Sequence, residues 1–372
     1  MTSQFNNKQI ELDKFVKNAL DFLPDTSLFQ YIVWLNELLE NRDEKFEKEY
    51  LPIIEQEKNR DTEKTPFLSV ITRTQGKRPE TLRETMLSLI GQSDDDFELI
   101  LVGHKLDSEG KAMVQNILGE QPLDFREKIR FIEIDHGTRT TPLNIGFSHA
   151  RGDYAAVLDD DDIVLDNWVE TFHRAALEKP GTIIHAYTLT QKWMLVNYGD
   201  GRFGPRATAA YGTECCHDFE LIEQLDCNMC PLLGLAFPTL YFRKYGIIFD
   251  EALTTTEDWD YLMRVSFLAG VTNVKLPTSV YRLWENAENS VTKHSKAEWD
   301  KNKEIIQHKH LNMPVLLPAG SAKIYHVRYS ENTGCSPERA RKKEKIKKYV
   351  PHPIWNIAKR LYRFCGGKKW IG

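Results

Sequence analysis

The sequence lacks most of the features that mark the large non-enzymatic classes. Across 372 residues no run reaches about 18 apolar residues, so no membrane-spanning helix is expected. Six cysteines are too few for a disulfide framework, and 41% hydrophobic content excludes a disordered chain. There is no internal repeat. No Gly-x-Gly-x-x-Gly or Walker A pattern follows the first strand-like segment, which excludes a nicotinamide-binding Rossmann unit and a P-loop. Surplus positive charge is also missing from the body of the chain. Between Glu338 and Gly372, 12 Lys+Arg stand against 2 Asp+Glu, a net of +10; the remaining 337 residues hold 37 basic and 52 acidic side chains, a net of -15. An acidic body speaks against a nucleic-acid enzyme, whose basic residues would lie across the domain itself. Met1 to Gln9 is polar and lacks the apolar core of a secretory signal, so a cytoplasmic chain with reduced thiols is expected. Cys227 and Cys230 form a C-x-x-C downstream of Cys215 and Cys216. Adjacent cysteines are poor tetrahedral ligands, however, and plain buried thiols are the simpler reading.

What is present divides the chain into four parts. Residues 1–64 read as a helical extension, with Leu12, Phe15, Val16, Ala19, Leu20 and Leu23 on one face and a second helix from Ser27 to about Glu49. Its apolar side needs a cover, either the following domain or a second copy in a homodimer. A charged run ending at Pro66 reads as a linker. Residues 65–300 alternate strands (Phe67–Thr74, Phe97–Gly103, Ile129–Ile134, Tyr154–Leu158) with helices (Glu80–Gln92, Glu109–Leu118, Pro142–Ala150, Asn167–Glu178). That is the α/β pattern of a mainly parallel sheet flanked by helices, with a site at the carboxyl ends of the strands. Further on come a strand over 183–192, a Gly-rich loop over 199–212, a helix over 257–269 and a strand over 274–281. Residues 301–338 connect to a tail, 339–372, in which Ile354–Cys365 is an amphipathic helix with Lys359, Arg360 and Arg363 on its polar side.

The strongest chemical signal is Asp159-Asp160-Asp161-Asp162 at the end of an apolar strand. Carboxylates about 4 Å apart repel by several kcal/mol, so four together ask for a cation or strong donors. Oxygen ligands favour Mg2+ or Mn2+ bridging to a diphosphate; a solvated acidic turn is the alternative, and the spacing of a calcium-binding EF-hand is absent. Thr256-Glu257-Asp258 opens a second amphipathic helix. Acidic residues there serve capping and the helix dipole, and the same dipole keeps Asp258 ionised as a general base requires.

In their order and spacing these segments resemble a GT-A-fold glycosyltransferase of the large family-two group. The resemblance runs from about Pro66 to Ser295 and rests on Ser-Val-Ile-Thr72, on Arg78-Pro-Glu-Thr-Leu-Arg-Glu-Thr-Met-Leu-Ser-Leu-Ile-Gly-Gln92, on Pro142-Leu-Asn-Ile-Gly-Phe-Ser-His-Ala-Arg-Gly-Asp-Tyr-Ala-Ala-Val-Leu-Asp-Asp-Asp-Asp162 and on Thr256-Glu-Asp-Trp-Asp260. It implies an α/β GT-A fold and transfer of a sugar from a nucleoside-diphosphate donor, favoured as a UDP-sugar, with inversion. Asp159 and Asp161 match the D-x-D element that holds Mn2+ or Mg2+ and the ribose, with Asp160 between them. Thr72 and Thr74 fall where the first strand meets the nucleotide, Arg139 where a basic residue would contact the donor, and Asp258, beside Glu257, at the position of the catalytic base. Asn144 and Asp153 belong to the pattern too, and read first as loop and cap residues. His294 lies where some GT-A enzymes supply a late histidine to the metal.

One departure concerns the donor base. Family members place a base-reading aspartate in a turn after the second strand, where this chain has Gly103-His104-Lys105-Leu106. The implied acceptor is a glycan or lipid-linked saccharide in surface-polysaccharide or wall-glycan synthesis, met at the inner face of the membrane, where the basic tail would lie on anionic lipid. Two rival readings stay open on the residues alone: a two-metal nucleotidyl or phosphoryl transferase, and a catalytically inactive nucleotide-binding membrane adaptor.

Overall fold

A computed structural model of the chain describes residues 42–58, 65–199, 203–285 and 294–311. The faces expected over 12–23, most of the second N-terminal helix, the homodimer contact and the basic tail lie outside the described residues.

Strand β1 (Leu68–Thr74) pairs in parallel with β2 (Phe97–His104) and β4 (Tyr154–Val157), and β2 pairs in parallel with β3 (Ile129–Ile134). Beyond β4 the sheet is mixed. β9 (Leu235–Pro238) runs antiparallel between β4 and the long β6 (Ile183–Asn197). β10 (Val271–Trp284) pairs in parallel with β6 and antiparallel with the two-residue β5 (Ile163–Val164). β7 (Phe203–Ala207) and β8 (Gly212–Cys215) pair with β6, so strands occupy part of the expected glycine-rich loop. The order among the described residues is β3-β2-β1-β4-β9-β6-β10-β5.

β1 and β2 are apolar on both faces because both faces are covered. Side chains alternate: Leu68, Val70, Leu99 and Leu101 enter one core with Leu82, Met86, Trp168 and Phe172, while Ile71, Ile100 and Val102 enter the other with Leu143, Phe147, Phe237 and Phe249. The helix Trp168–Glu178 buries Trp168, Val169, Phe172, Ala175 and Ala176, a single helical face. The helix Pro79–Ile90 starts on its proline, whose missing N–H would lack an intrahelical partner anyway.

The helix Thr141–His149 is buried from Thr141 to Ser148. It reaches the sheet because Gly146 has no Cβ; one would fall 2.4 Å from Ile71 Cγ2. Asn144, expected in a loop or cap, is inside this helix. Its amide donates to the Phe249 carbonyl (3.0 Å) and its carbonyl accepts from Phe249 N (2.8 Å), which fixes the 249–251 turn over the helix. Asp153 contributes its carbonyl oxygen, which accepts from Thr239 N at 2.9 Å. Ahead of β1, a helix with a π-wound first part, Phe46–Tyr50, continues as Leu51–Lys58. Phe46, Tyr50 and Ile54 are fully buried in the core that holds Ile71, so this part of the expected extension packs on the domain that follows it. At the other end, the helix Lys296–Leu311 runs through the division expected at residue 300.

Candidate active site

β1 and β4 are parallel neighbours, with Ile71 opposite Val157, so the residues that follow them emerge side by side at the carboxyl edge of the sheet. Arg73, one step before the end of β1, grips Asp159 with two hydrogen bonds, Nε to Oδ1 at 2.8 Å and Nη2 to Oδ2 at 3.1 Å. Its Nη1 also donates to the Arg139 carbonyl (2.9 Å) and to Glu257 Oε1 (3.2 Å). Arg139 Nη2 meets the same Glu257 oxygen at 3.1 Å. One guanidinium therefore ties together β1, the end of β4, the 139 loop and the start of the helix Glu257–Ala269. Thr74 Oγ1 donates to Asp160 Oδ2 (2.6 Å), Arg78 pairs with Asp161 and, at 3.7 Å, with Asp160, and the Arg282 amide donates to Asp162 Oδ1 (2.8 Å).

These groups border a cavity of about 340 Å3. Its charged lining is Arg73, Arg139, Asp159, Asp162, Glu257 and Asp258; its uncharged lining includes Met229, Cys230, Pro231, Leu232 and Leu233. Asn228 Nδ2 donates to Asp258 Oδ2 (3.1 Å) and Trp259 N to Asp258 Oδ1 (2.8 Å). The structure thus brings Arg139, Asp159, Glu257 and Asp258 to one cavity, and leaves Thr72, Thr74, Asp160, Asp161 and His294 outside its lining. Thr72 is buried with an Oγ1 that finds no hydrogen-bond partner. His294 Nδ1 pairs with Glu298 Oε2 at 3.1 Å. His104 is buried and donates from Nε2 to the His136 carbonyl (3.0 Å); burial holds its pKa below the usual histidine value. Arg73 and Asn228 are not singled out by sequence, and Arg78 and Arg282 are not among the expected site residues. For the arginines the signal is charge balance, since four consecutive aspartates at a strand end require cations somewhere in the fold.

Electrostatics separate the carboxylates. Burial opposes ionisation of Asp159, but the Arg73 guanidinium outweighs it and lowers the pKa. Burial and then the neighbouring Asp161 charge push Asp160 up to about 7. Burial also raises Asp161 and Asp162. Asp258 is pushed up to about 6, first by burial and then by the Glu257 charge beside it. Were Asp258 to act as a general base, it would lose its charge as pH falls, and transfer would be expected in full above about 7 and to decline roughly tenfold per unit below about 6. A pH profile of kcat/KM with its acid limb at 4 would contradict this environment.

The resemblance implies a divalent cation. Among the described residues no three His, Cys, Asp or Glu side chains converge to enclose one. The fit is instead to an ion that keeps water and substrate oxygens and takes one or two carboxylates. Six carboxylates (Asp159 to Asp162, Glu257, Asp258) meet four guanidinium groups (Arg73, Arg78, Arg139 and, acting on Asp161 and Asp162, Arg282), and Asp162 and Asp258 take hydrogen bonds from neutral donors. That all-oxygen, under-compensated set suits a hard cation.

A curled, mainly parallel sheet that delivers an acidic strand end to a cavity at its carboxyl edge defines a GT-A glycosyltransferase fold. Residues 69–208 match the family described as Glycosyl transferase family 2. An uncharacterized glycosyltransferase of Rickettsia felis is 27% identical over 203 residues, which cover 51% of this chain and 30% of the relative, so the chain spans under a third of that protein's length. One from Haemophilus influenzae is 25% identical over 278 residues, 71% of this chain and 82% of the relative. Among solved structures, Staphylococcus aureus TarS 1-349 in complex with UDP-GlcNAc is similar in fold, with a TM-score of 0.51 at 14% identity over 67% of this chain and 68% of that one.

Proposed function

We propose that the chain is a metal-dependent, inverting glycosyltransferase that moves a hexosyl group from a nucleoside-diphosphate sugar to a hydroxyl of a glycan or lipid-linked acceptor. The observation that carries this reading is the position of Asp258: half-buried, raised in pKa, and lining the same cavity as Asp159 from the start of a different element. Asp258 takes the proton of the acceptor hydroxyl, whose oxygen forms the new bond to the anomeric carbon while the bond to the diphosphate breaks and its electron pair leaves with the diphosphate. Attack from the face opposite the leaving group inverts the carbon. Asn228 keeps one Asp258 oxygen oriented while the other is engaged by the Trp259 amide. Arg139 on the cavity wall offers positive charge to the donor. Asp161, with Asp159 nearby, would hold Mn2+ or Mg2+, which when bound offsets the charge growing on the leaving diphosphate.

A UDP-sugar is the favoured donor, and His104-Lys105 in place of a base-reading aspartate makes the base the point to test. Incubation of the pure protein with Mn2+ and a panel of UDP-, GDP-, dTDP- and CMP-sugars is expected to release an intact nucleoside diphosphate from one donor, and EDTA to stop it. Cleavage between phosphates would favour the phosphoryl-transfer alternative. Tight nucleotide binding with no turnover would favour an adaptor.

Among the described residues no helix is long and apolar enough to cross a membrane. The charge of the tail, +10 over residues 338–372, supports an acceptor met at the surface of anionic lipid, where each Lys or Arg adds about 1 kcal/mol. Full-length protein is expected to sediment with phosphatidylserine vesicles, and protein truncated at Arg339 to remain in the supernatant. Equal sedimentation would remove the tail from the reading.

A further inference from the structure

Thr256, the residue just before Glu257-Asp258, has φ 59° and ψ 20°, the left-handed region that a β-branched side chain disfavours. It stands at the start of the helix Glu257–Ala269 yet makes no capping bond; its hydroxyl donates back to the Thr255 carbonyl at 2.6 Å. Neither the backbone geometry nor a cap explains a threonine here. Such a conformation persists only where its surroundings impose it, and it is commonest where a functional side chain is being aimed.

The surroundings are specific. Asn302, buried in the helix Lys296–Leu311, donates from Nδ2 to Thr255 Oγ1 (2.7 Å) and to Thr254 Oγ1 (3.0 Å). Thr254 Oγ1 in turn donates to Glu298 Oε1 (2.5 Å) on the same helix. Leu253, fully buried, shares a small apolar core with Ile306 and Trp259. From the opposite side Arg139 Nη1 donates to the Thr254 carbonyl (3.3 Å) and Thr140 Oγ1 to the Leu253 carbonyl (3.4 Å). Residues 253–255 are thus held on two sides. On the far side Glu257 is held by Arg73 and Arg139, so both ends of the turn around Thr256 are tied down.

We propose that Asn302 is a positioning residue: by gripping Thr254 and Thr255 it holds Thr256 in the left-handed turn that points Asp258 into the cavity. The inference rests on the reading of Asp258 as the base. It gives the helix Lys296–Leu311, which lies beyond the family-matched residues 69–208, a part in the reaction through Asp258 without contact to the reacting atoms.

The test compares four proteins: wild type, Asn302→Ala, Thr256→Gly and the double variant, each measured by urea unfolding and by steady-state transfer from the donor that the wild type turns over. Asn302→Leu replaces the alanine variant if that does not fold. Glycine is at ease at positive φ, so Thr256→Gly is expected to shift the urea midpoint more favourably with Asn302 present than without it. Asn302→Ala is expected to lower kcat at least about tenfold, with donor KM changed less than about threefold. Adding Thr256→Gly is expected to restore kcat to within about threefold of wild type, because the left-handed turn then needs no brace; a residue that only stabilised the fold would not be rescued in this way. Equal midpoint shifts in both backgrounds would overturn the strain, and wild-type kcat in Asn302→Ala, or a double variant as slow as the single, would overturn the positioning. Absence of transfer by the wild type with every donor would overturn the functional reading, and the positioning with it, whereas the urea comparison would still report whether Thr256 is held under strain.

Discussion

Asp258→Asn is expected to lower kcat by about 100- to 10,000-fold while donor affinity changes less than about threefold. The substitution keeps the size of the side chain and removes its ability to take a proton. The amide oxygen can keep the bond from Trp259 N, while the new NH2 group takes the place of the oxygen that Asn228 Nδ2 now meets, so the side chain stays in place at the cost of one neutral hydrogen bond. The loss should therefore fall on the chemical step. The two measurements needed are a transfer rate under donor saturation and a direct binding isotherm for the nucleoside diphosphate with Mn2+. Full activity in this variant would sink the proposed mechanism. Loss of donor binding to the same degree as activity would instead put Asp258 among the donor's ligands.

Arg73→Met should cost about 2–3 kcal/mol of folding stability, because it leaves the buried Glu257 and the one-third-exposed Asp159 uncompensated, the second screened in part by solvent. Arg73 retains 16% side-chain exposure, and its guanidinium meets Asp159 through both oxygens and Glu257 through a third bond. Methionine fills the space and offers no donor. Asp159 and Glu257 would then face each other across the cavity wall with Arg139 as the nearest remaining partner of Glu257. Urea unfolding should show a lower midpoint at unchanged slope. A loss below about 1 kcal/mol would mean that solvent already screens the pair as it does at a surface.

The fold was legible where the chain alternates simple periodic segments. From Leu68 to Glu178 each expected strand and helix occurs within two residues of its place, because β1, β2 and β4 are short β-branched or apolar-rich segments and the helices carry one-sided patterns. β9 was not legible. Its four residues lie in Cys230-Pro-Leu-Leu-Gly-Leu-Ala-Phe-Pro238, an apolar stretch with no period, and their pairing with β4 and β6 is set by tertiary contacts. In the candidate site, Asp159, Glu257, Asp258 and Arg139 were marked by residue type and position, and the fold brings them to one cavity. Arg73 was hidden because a lone arginine near a strand end reads as a solvent-facing side chain. Its partner Asp159 lies 86 residues away, and no local pattern connects them. Asn302 was hidden for the same reason: an asparagine inside a polar helix looks like surface until Thr254 and Thr255 are seen beneath it.

The placement of β9 between β4 and β6 has a consequence for synthesis and for dissection of the gene product. A ribosome that has made residues 69–208 has released the whole family-matched segment, yet the strand that joins β4 to β6 is not encoded until Leu235–Pro238. Until then both strands present bare hydrogen-bonding edges to any neighbouring chain. The matched segment is thus a unit of descent without being a unit of folding. Expression fragments that stop near residue 208 should collect in inclusion bodies, and boundaries for soluble pieces belong after β9 and the helix Lys296–Leu311.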